Sequence, residues 1–167
     1  MNEPAQYGIV SADILREMSG LDFFRSVIAG RLPRPPIGAL LGYVLVEAEE
    51  GWVAFASTPR EAHYNAIGSV HGGYTATLLD SCMGCAVHTR LKPGQGYTTL
   101  ELKVNYIRGM SAKTGPVRAE GKVVHFGSQI ATAEGRLIDA NGRLLAHGTT
   151  TCLVFALPDK RGSETGP

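Results

Sequence analysis

One stretch decides what this chain can fold into. Residues 72–91, GGYTATLLDSCMGCAVHTRL, are apolar or small almost all round, and Asp80 is their only acid. A helix of that composition has no broad polar face to give to water, so it must be covered on several sides. Gly72 and Gly73 open it, and Pro93-Gly94 forces a loop soon after its end. A single helix of this kind needs a sheet large enough to wrap it, which is a two-layer arrangement.

The rest of the chain supplies that sheet. After the helix come four strand-like runs, at 97–108, 117–125, 129–139 and 143–157. Asn141-Gly142 is a hairpin signal between the last two, and Gly127-Ser128 can turn the earlier pair. Before the helix, residues 37–58 read as a hairpin: one strand from Ile37 to Glu49, a turn at Glu50-Gly51, and a return over WVAFAST. Short turns between neighbouring strands favour an antiparallel sheet. Residues 11–30 carry two short apolar stripes separated by Gly20, with Ser11 as an expected N-cap. Arg31 to Pro36 is expected to be a rigid non-helical connector. The fold expected is therefore α+β, with one domain over 37–157, a helical extension over 1–36 and a disordered tail over 158–167.

Composition excludes several classes of function. Net charge is +1, from 16 basic and 15 acidic residues, which leaves no electrostatic footprint for nucleic acid. No apolar run approaches the ~18 residues of a membrane span. The three cysteines form no disulfide framework, and the first twenty residues lack a basic segment followed by an apolar one, so a cytoplasmic location is expected. Glycine accounts for 21 of 167 residues, far above ~7%, which calls for tight turns or close approaches of backbone.

The residues suited to chemistry cluster around the start of the long helix. Two glycines in its first turn leave backbone N–H groups uncovered, at the positive end of the helix dipole, where an anion or oxyanion can be held. The plainer reading is that the glycines only allow close packing. Asp80 lies among Leu78, Leu79, Cys82 and Met83, and a carboxylate there is costly unless paired or used. It is a candidate general base or nucleophile, with a solvent-facing acid paired to Arg90 as the alternative. Asn65, on the preceding loop, can orient water or a substrate carbonyl, or shape its own turn. His71 is read as a buttress of the loop more than as a base. Thr98 and Thr99 open the following strand and can support a carboxylate.

Gly72 and Asp80 are eight residues apart, ~12 Å along a helix, too far to act together on one carbonyl carbon. If both serve one substrate, two chains must meet with these helices antiparallel, each supplying half of two equivalent sites.

Asn65, the run His71-Gly72-Gly73, Leu79-Asp80, and then Thr99-x-Glu101-Leu102-x-Val104-Asn105-Tyr106-Ile107-Arg108 resemble the hotdog-fold acyl-CoA thioesterases, in particular the phenylacetate-degradation branch. The resemblance spans roughly residues 38–157. It implies a long central helix wrapped by a curved antiparallel sheet, and hydrolysis of a small or medium acyl-CoA, aliphatic or aromatic. By the same resemblance, the Gly72 N–H polarises the thioester carbonyl, Asp80 is base or nucleophile, and Asn65 orients water or substrate. Thr99, or Thr98, assists the acid, and His71 and Gly73 complete the substrate-binding turn. It also implies a homodimer, assembled as a dimer of dimers, with no metal or redox cofactor. Two features depart from the family pattern: the long segment 1–36, and the absence of arginine from residues 125–129, where a CoA phosphate contact is expected.

Rival signals are weaker. Cys82-Met83-Gly84-Cys85 is a C-x-x-C in mid-helix, where core packing is expected rather than redox chemistry. His63, His88, His125, His147 and Cys152 are too scattered for a zinc site. Arg90, Lys92 and Arg108 are candidates for phosphate contacts or plain surface charge. A hotdog dehydratase or hydratase needs an acid or histidine where Cys85 stands. A non-catalytic acyl-CoA sensor is the alternative from another class.

Overall fold

The computed structural model describes residues 6–158. The helix expected from 72 runs over Gly72–His88 (α4), preceded by α1 (Ala12–Glu17), α2 (Gly20–Ile28) and α3 (Pro36–Leu41). Six strands follow the chain as β1 (Tyr43–Glu49), β2 (Trp52–Ser57), β3 (Gln95–Tyr106), β4 (Val117–Phe126), β5 (Ile130–Asp139) and β6 (Leu144–Ala156). Their order in the single sheet is β1-β2-β4-β5-β6-β3, with every neighbouring pair antiparallel. The chain thus leaves β2, passes through α4 and returns at the far edge of the sheet.

The start of the first strand differs most from the sequence expectation. The first strand begins at Tyr43, and Pro36–Leu41 is helical. Pro36 occupies the first helical position, where its missing N–H costs nothing, and Gly42 ends the helix in the left-handed region at φ 69°. The disordered tail expected from 158 lies, beyond Pro158 itself, outside the described residues.

α4 buries Leu78, Leu79, Cys82, Met83, Ala86 and Val87 against the sheet. Much of the glycine excess is spent beneath it. Gly121, Gly135 and Gly148 are register partners across β4, β5 and β6, forming a row without side chains. A Cβ at Gly121 would run into the Cys82 carbonyl, and one at Gly135 would stand 2.8 Å from Met83 Cγ. The backbone of the helix therefore rests almost directly on the backbone of the sheet.

The half-buried residues Thr77, Asp80, Ser81, Cys85 and His88 form the opposite stripe of α4. Two strands from opposite edges of the sheet reach it. Tyr43 Oη of β1 lies 3.1 Å from Ser81 Oγ, and Thr99 of β3 bonds Asp80. A flat sheet cannot place both edges on adjacent residues of one helix, so the sheet curls around α4. Over the C-terminal part of the helix sits α2, whose Gly20 N–H donates to the Leu91 carbonyl at 3.0 Å. A Cβ at Gly20 would collide with the His88 carbonyl. Among the described residues, no helix is long and apolar enough to cross a membrane.

Candidate active site

Asp80 is half-buried on α4, and Thr99 Oγ1 donates to its Oδ1 at 3.1 Å. Thr98, the alternative supporter, is exposed. Strand alternation sends neighbouring side chains to opposite faces, so only one of the two threonines can face the helix. Asp80 does not pair with Arg90, which instead lies 3.6 Å from Glu50. The Asp80 charge is felt by its neighbours: burial first, and then Asp80, push the Cys85 thiol up to about 12.

His71 is the N-cap of α4, and its Nδ1 accepts a hydrogen bond from the Gly73 N–H at 2.8 Å. In the neutral ring this leaves the proton on Nε2. A Cβ at Gly73 would lie 2.9 Å from that Nδ1, so the second glycine is what lets the ring fold back onto the turn. The Gly73 N–H, expected at the substrate, is spent on this cap. The Gly72 N–H has no hydrogen-bond partner among the described residues. It opens into a cavity of about 450 Å³ lined by His71, Tyr106, Arg108 and Met110.

Tyr106 is the site residue that residue patterning did not single out. Its Oη donates to the Gly72 carbonyl at 3.1 Å, and its ring stands where a side chain on Gly72 would go. Only the return of β3 alongside β6 places it there, and no local spacing encodes that. The first glycine is thus held by a tyrosine hydroxyl and the second by a histidine nitrogen.

Asn65 is engaged in its own loop. Its Oδ1 accepts from the N–H groups of Ile67 at 3.0 Å and Ser69 at 3.2 Å, and its Nδ2 donates to Ser69 Oγ at 2.9 Å. One Nδ2 hydrogen remains unspent. The loop is backed by His63, buried and stacked on Tyr74 with centroids 4.3 Å apart, whose carbonyl accepts from the His71 N–H.

Cys82 is fully buried and its thiol is pushed up by burial, so the C-x-x-C lies with its first thiol in the core. Among the described residues, no group of histidine, cysteine and carboxylate side chains is arranged to hold a metal ion.

The thioesterase superfamily pattern matches residues 67–146, which contain Gly72, Asp80 and Thr99. The human protein named acyl-coenzyme A thioesterase 13 is 33% identical over 137 residues, covering 76% of this chain and 91% of its own. This chain belongs to the thioesterase superfamily. It is a thioester hydrolase with the hotdog fold. The crystal structure of a phenylacetic acid degradation-related protein from Ralstonia eutropha JMP134 is similar, with a TM-score of 0.71 and 26% identity over 78% of this chain and 98% of that one. A thioesterase family protein from Silicibacter pomeroyi shares the fold, with a TM-score of 0.70 at 24% identity over 80% and 98% of the two chains.

Proposed function

We propose that this thioesterase hydrolyses an acyl-coenzyme A to a free acid and coenzyme A, with Asp80 and the Gly72 N–H as its reacting groups. One observation carries the reading above the others: the Asp80 carboxylate is steadied through Oδ1 by Thr99, while Oδ2 has no partner among the described residues. The superfamily supplies the thioester, and the named relatives supply coenzyme A as the leaving group.

Asp80 takes a proton from water, and the hydroxide adds to the carbonyl carbon. The oxyanion that forms is met by the Gly72 N–H at the positive end of α4. The C–S bond then breaks, and the departing thiolate takes the proton from Asp80. In the alternative, Asp80 attacks the carbonyl directly, the thiolate leaves, and water opens the mixed anhydride. The same residues serve both routes. When water opens the anhydride at the Asp80 carbonyl carbon, the bridging oxygen leaves with the product acid and the solvent oxygen stays on Asp80. A single turnover in heavy-oxygen water then gives unlabelled acid and labelled Asp80, whereas the general-base route labels the acid. The unspent Nδ2 hydrogen of Asn65 is the group proposed to steady the water or the carbonyl.

Gly72 and Asp80 stand at opposite ends of ~12 Å of helix, so the site is proposed to form between two chains. Edge strand β3, paired among the described residues only with β6, offers a second copy a hydrogen-bonding edge. A mixed dimer of Gly72→Pro and Asp80→Ala chains is expected to regain about one working site in two. No recovery would overturn the shared site.

The activity itself is tested by free-thiol release from a panel of alkanoyl- and aryl-CoA esters. Asp80→Asn is expected to lower kcat at least about 100-fold with little change in KM. Undiminished turnover by that variant would overturn the assignment of Asp80. Acyl-CoA binding without any turnover in the wild type would favour a sensor instead.

A further inference from the structure

A second cavity, of about 360 Å³, lies beneath the N-terminal segment. Its roof is made by Ile9, Leu15, Phe23, Phe24, Val27 and Pro33, and its floor by Leu45, Phe55, Cys85 and His88. It is apolar throughout apart from a thiol and an imidazole. The imidazole is stacked on Phe23 at 5.2 Å and lies edge-on to Phe24 at 4.9 Å. Burial holds it neutral, lowering its pKa to about 4, so no charge lines the space at physiological pH.

The floor shares one stripe of α4 with the proposed reaction centre. Asp80, Ser81, Cys85 and His88 lie on one stripe of α4. Cys85 is ~7.5 Å and His88 ~12 Å beyond Asp80 along the helix axis. Tyr43 bridges the two places: its Oη meets Ser81 Oγ at 3.1 Å, and its ring packs edge-on against Phe55 at 5.6 Å. A carbonyl carbon at Asp80 therefore has an apolar cavity about one to two helical turns away along the same stripe of α4, with the Ser81–Tyr43 contact between them.

We infer that this cavity receives the hydrocarbon part of the acyl group, and that the N-terminal segment closes its far end and so sets the acyl length. The inference rests on the thioesterase reading. The ligand is an uncharged apolar acyl group of medium length, straight or ending in an aryl ring. An apolar cavity of ~150 Å³ already accepts a benzene ring, so this one holds a ring with several methylenes or a comparable alkyl chain. Acyl groups carrying a distal charge are excluded, since nothing in the cavity can pair with one. The roof residues all precede residue 67, where the superfamily pattern begins, so the closing end is supplied by a part of the chain outside the matched segment.

The test uses the full chain and two substitutions at the roof. Val27→Phe fills the cavity, and Val27→Ala enlarges it. kcat/KM is measured for alkanoyl-CoA esters from acetyl to dodecanoyl and for phenylacetyl-CoA, and binding of octanoate is measured by calorimetry. Thermal unfolding and mass in solution report whether each variant is folded and assembled. Val27→Phe is expected to lower the octanoyl-to-acetyl ratio of kcat/KM at least about tenfold and to weaken octanoate binding, the scale set by misfit in an apolar pocket. Val27→Ala is expected to move the optimum to longer chains. An unchanged length profile in folded Val27 variants, with thioester turnover intact, would overturn the inference and leave the thioesterase reading standing. Loss of octanoate binding in Val27→Phe, with no thioester turnover even in the wild type, would overturn the thioesterase reading and leave the cavity assignment standing.

Discussion

Thr99 and Asp80 belong to elements that never touch in sequence, yet the threonine hydroxyl sits 3.1 Å from Asp80 Oδ1. The bond fixes which carboxylate oxygen faces Thr99, and the proposed mechanism assigns Oδ2 to water. Thr99→Ala is expected to lower kcat about tenfold or more, since a hydrogen bond to a charged group is worth ~1.5–3 kcal/mol. Thr99→Ser is expected to recover most of the loss. Steady-state kinetics of the two variants check this, and equal impairment in both would show that the methyl group matters instead.

Asn65 makes three hydrogen bonds within its own loop. Asn65→Asp keeps the acceptor for the Ile67 and Ser69 N–H groups, whereas Asn65→Ala loses it. If the amide also steadies water or the thioester carbonyl, both variants lose activity, but only Asn65→Ala is destabilised, by ~1–3 kcal/mol. Urea unfolding alongside kcat separates the two roles. Full activity in Asn65→Asp would confine Asn65 to shaping the turn.

The row Gly121, Gly135 and Gly148 leaves no space for a methyl group under Cys82 and Met83. Gly121→Ala meets backbone, which cannot turn aside. It is expected to cost ~1–3 kcal/mol or more. Gly135→Ala meets the flexible Met83 side chain and should cost less. Denaturation midpoints of the two variants give the comparison.

His88 makes stability depend on pH. Its ordinary value is 6.5, and burial lowers it to about 4 in the folded chain. Between those values the unfolded chain binds more protons, so stability falls as pH drops from 6.5 towards 4 and is level outside that window. The loss attributable to this residue is on the order of 3 kcal/mol. His88→Phe, which preserves the stacking on Phe23, is expected to flatten the dependence. Urea midpoints between pH 4 and 7.5 for both proteins test it, and an unaltered slope would count against a buried neutral imidazole.

Much of this architecture is legible in the sequence because it is local. An apolar helix with a single acid, turns at Glu50-Gly51 and Asn141-Gly142, and a glycine pair after a histidine each announce themselves within a few residues. The His71 cap follows from the same adjacency. What the sequence hides is long-range or depends on exceptions. Pro36 reads as a breaker, yet it starts a helix because proline's defect is harmless at that one position. Tyr106 reads as an ordinary strand residue until β3 returns beside β6 and its hydroxyl reaches Gly72. The choice between Thr99 and Thr98 depends on which face of β3 meets α4, and hence on register. Asn65 reads equally as a water-holder or a turn-former, and only its turn-forming bonds are seen in the structure.

The place of β3 in the sheet also dictates when this enzyme becomes complete. β3 emerges from the ribosome directly after α4, yet its strand partner β6 is made last of all. A nascent chain that has reached residue 140 already holds Asp80, Thr99 and Tyr106, but β3 then has its contacts with α4 and no strand beside it. Closing so long a loop is entropically slow. The strand made last is thus the one that backs β3, and a lesion in β6 is expected to loosen a candidate site whose own residues are untouched.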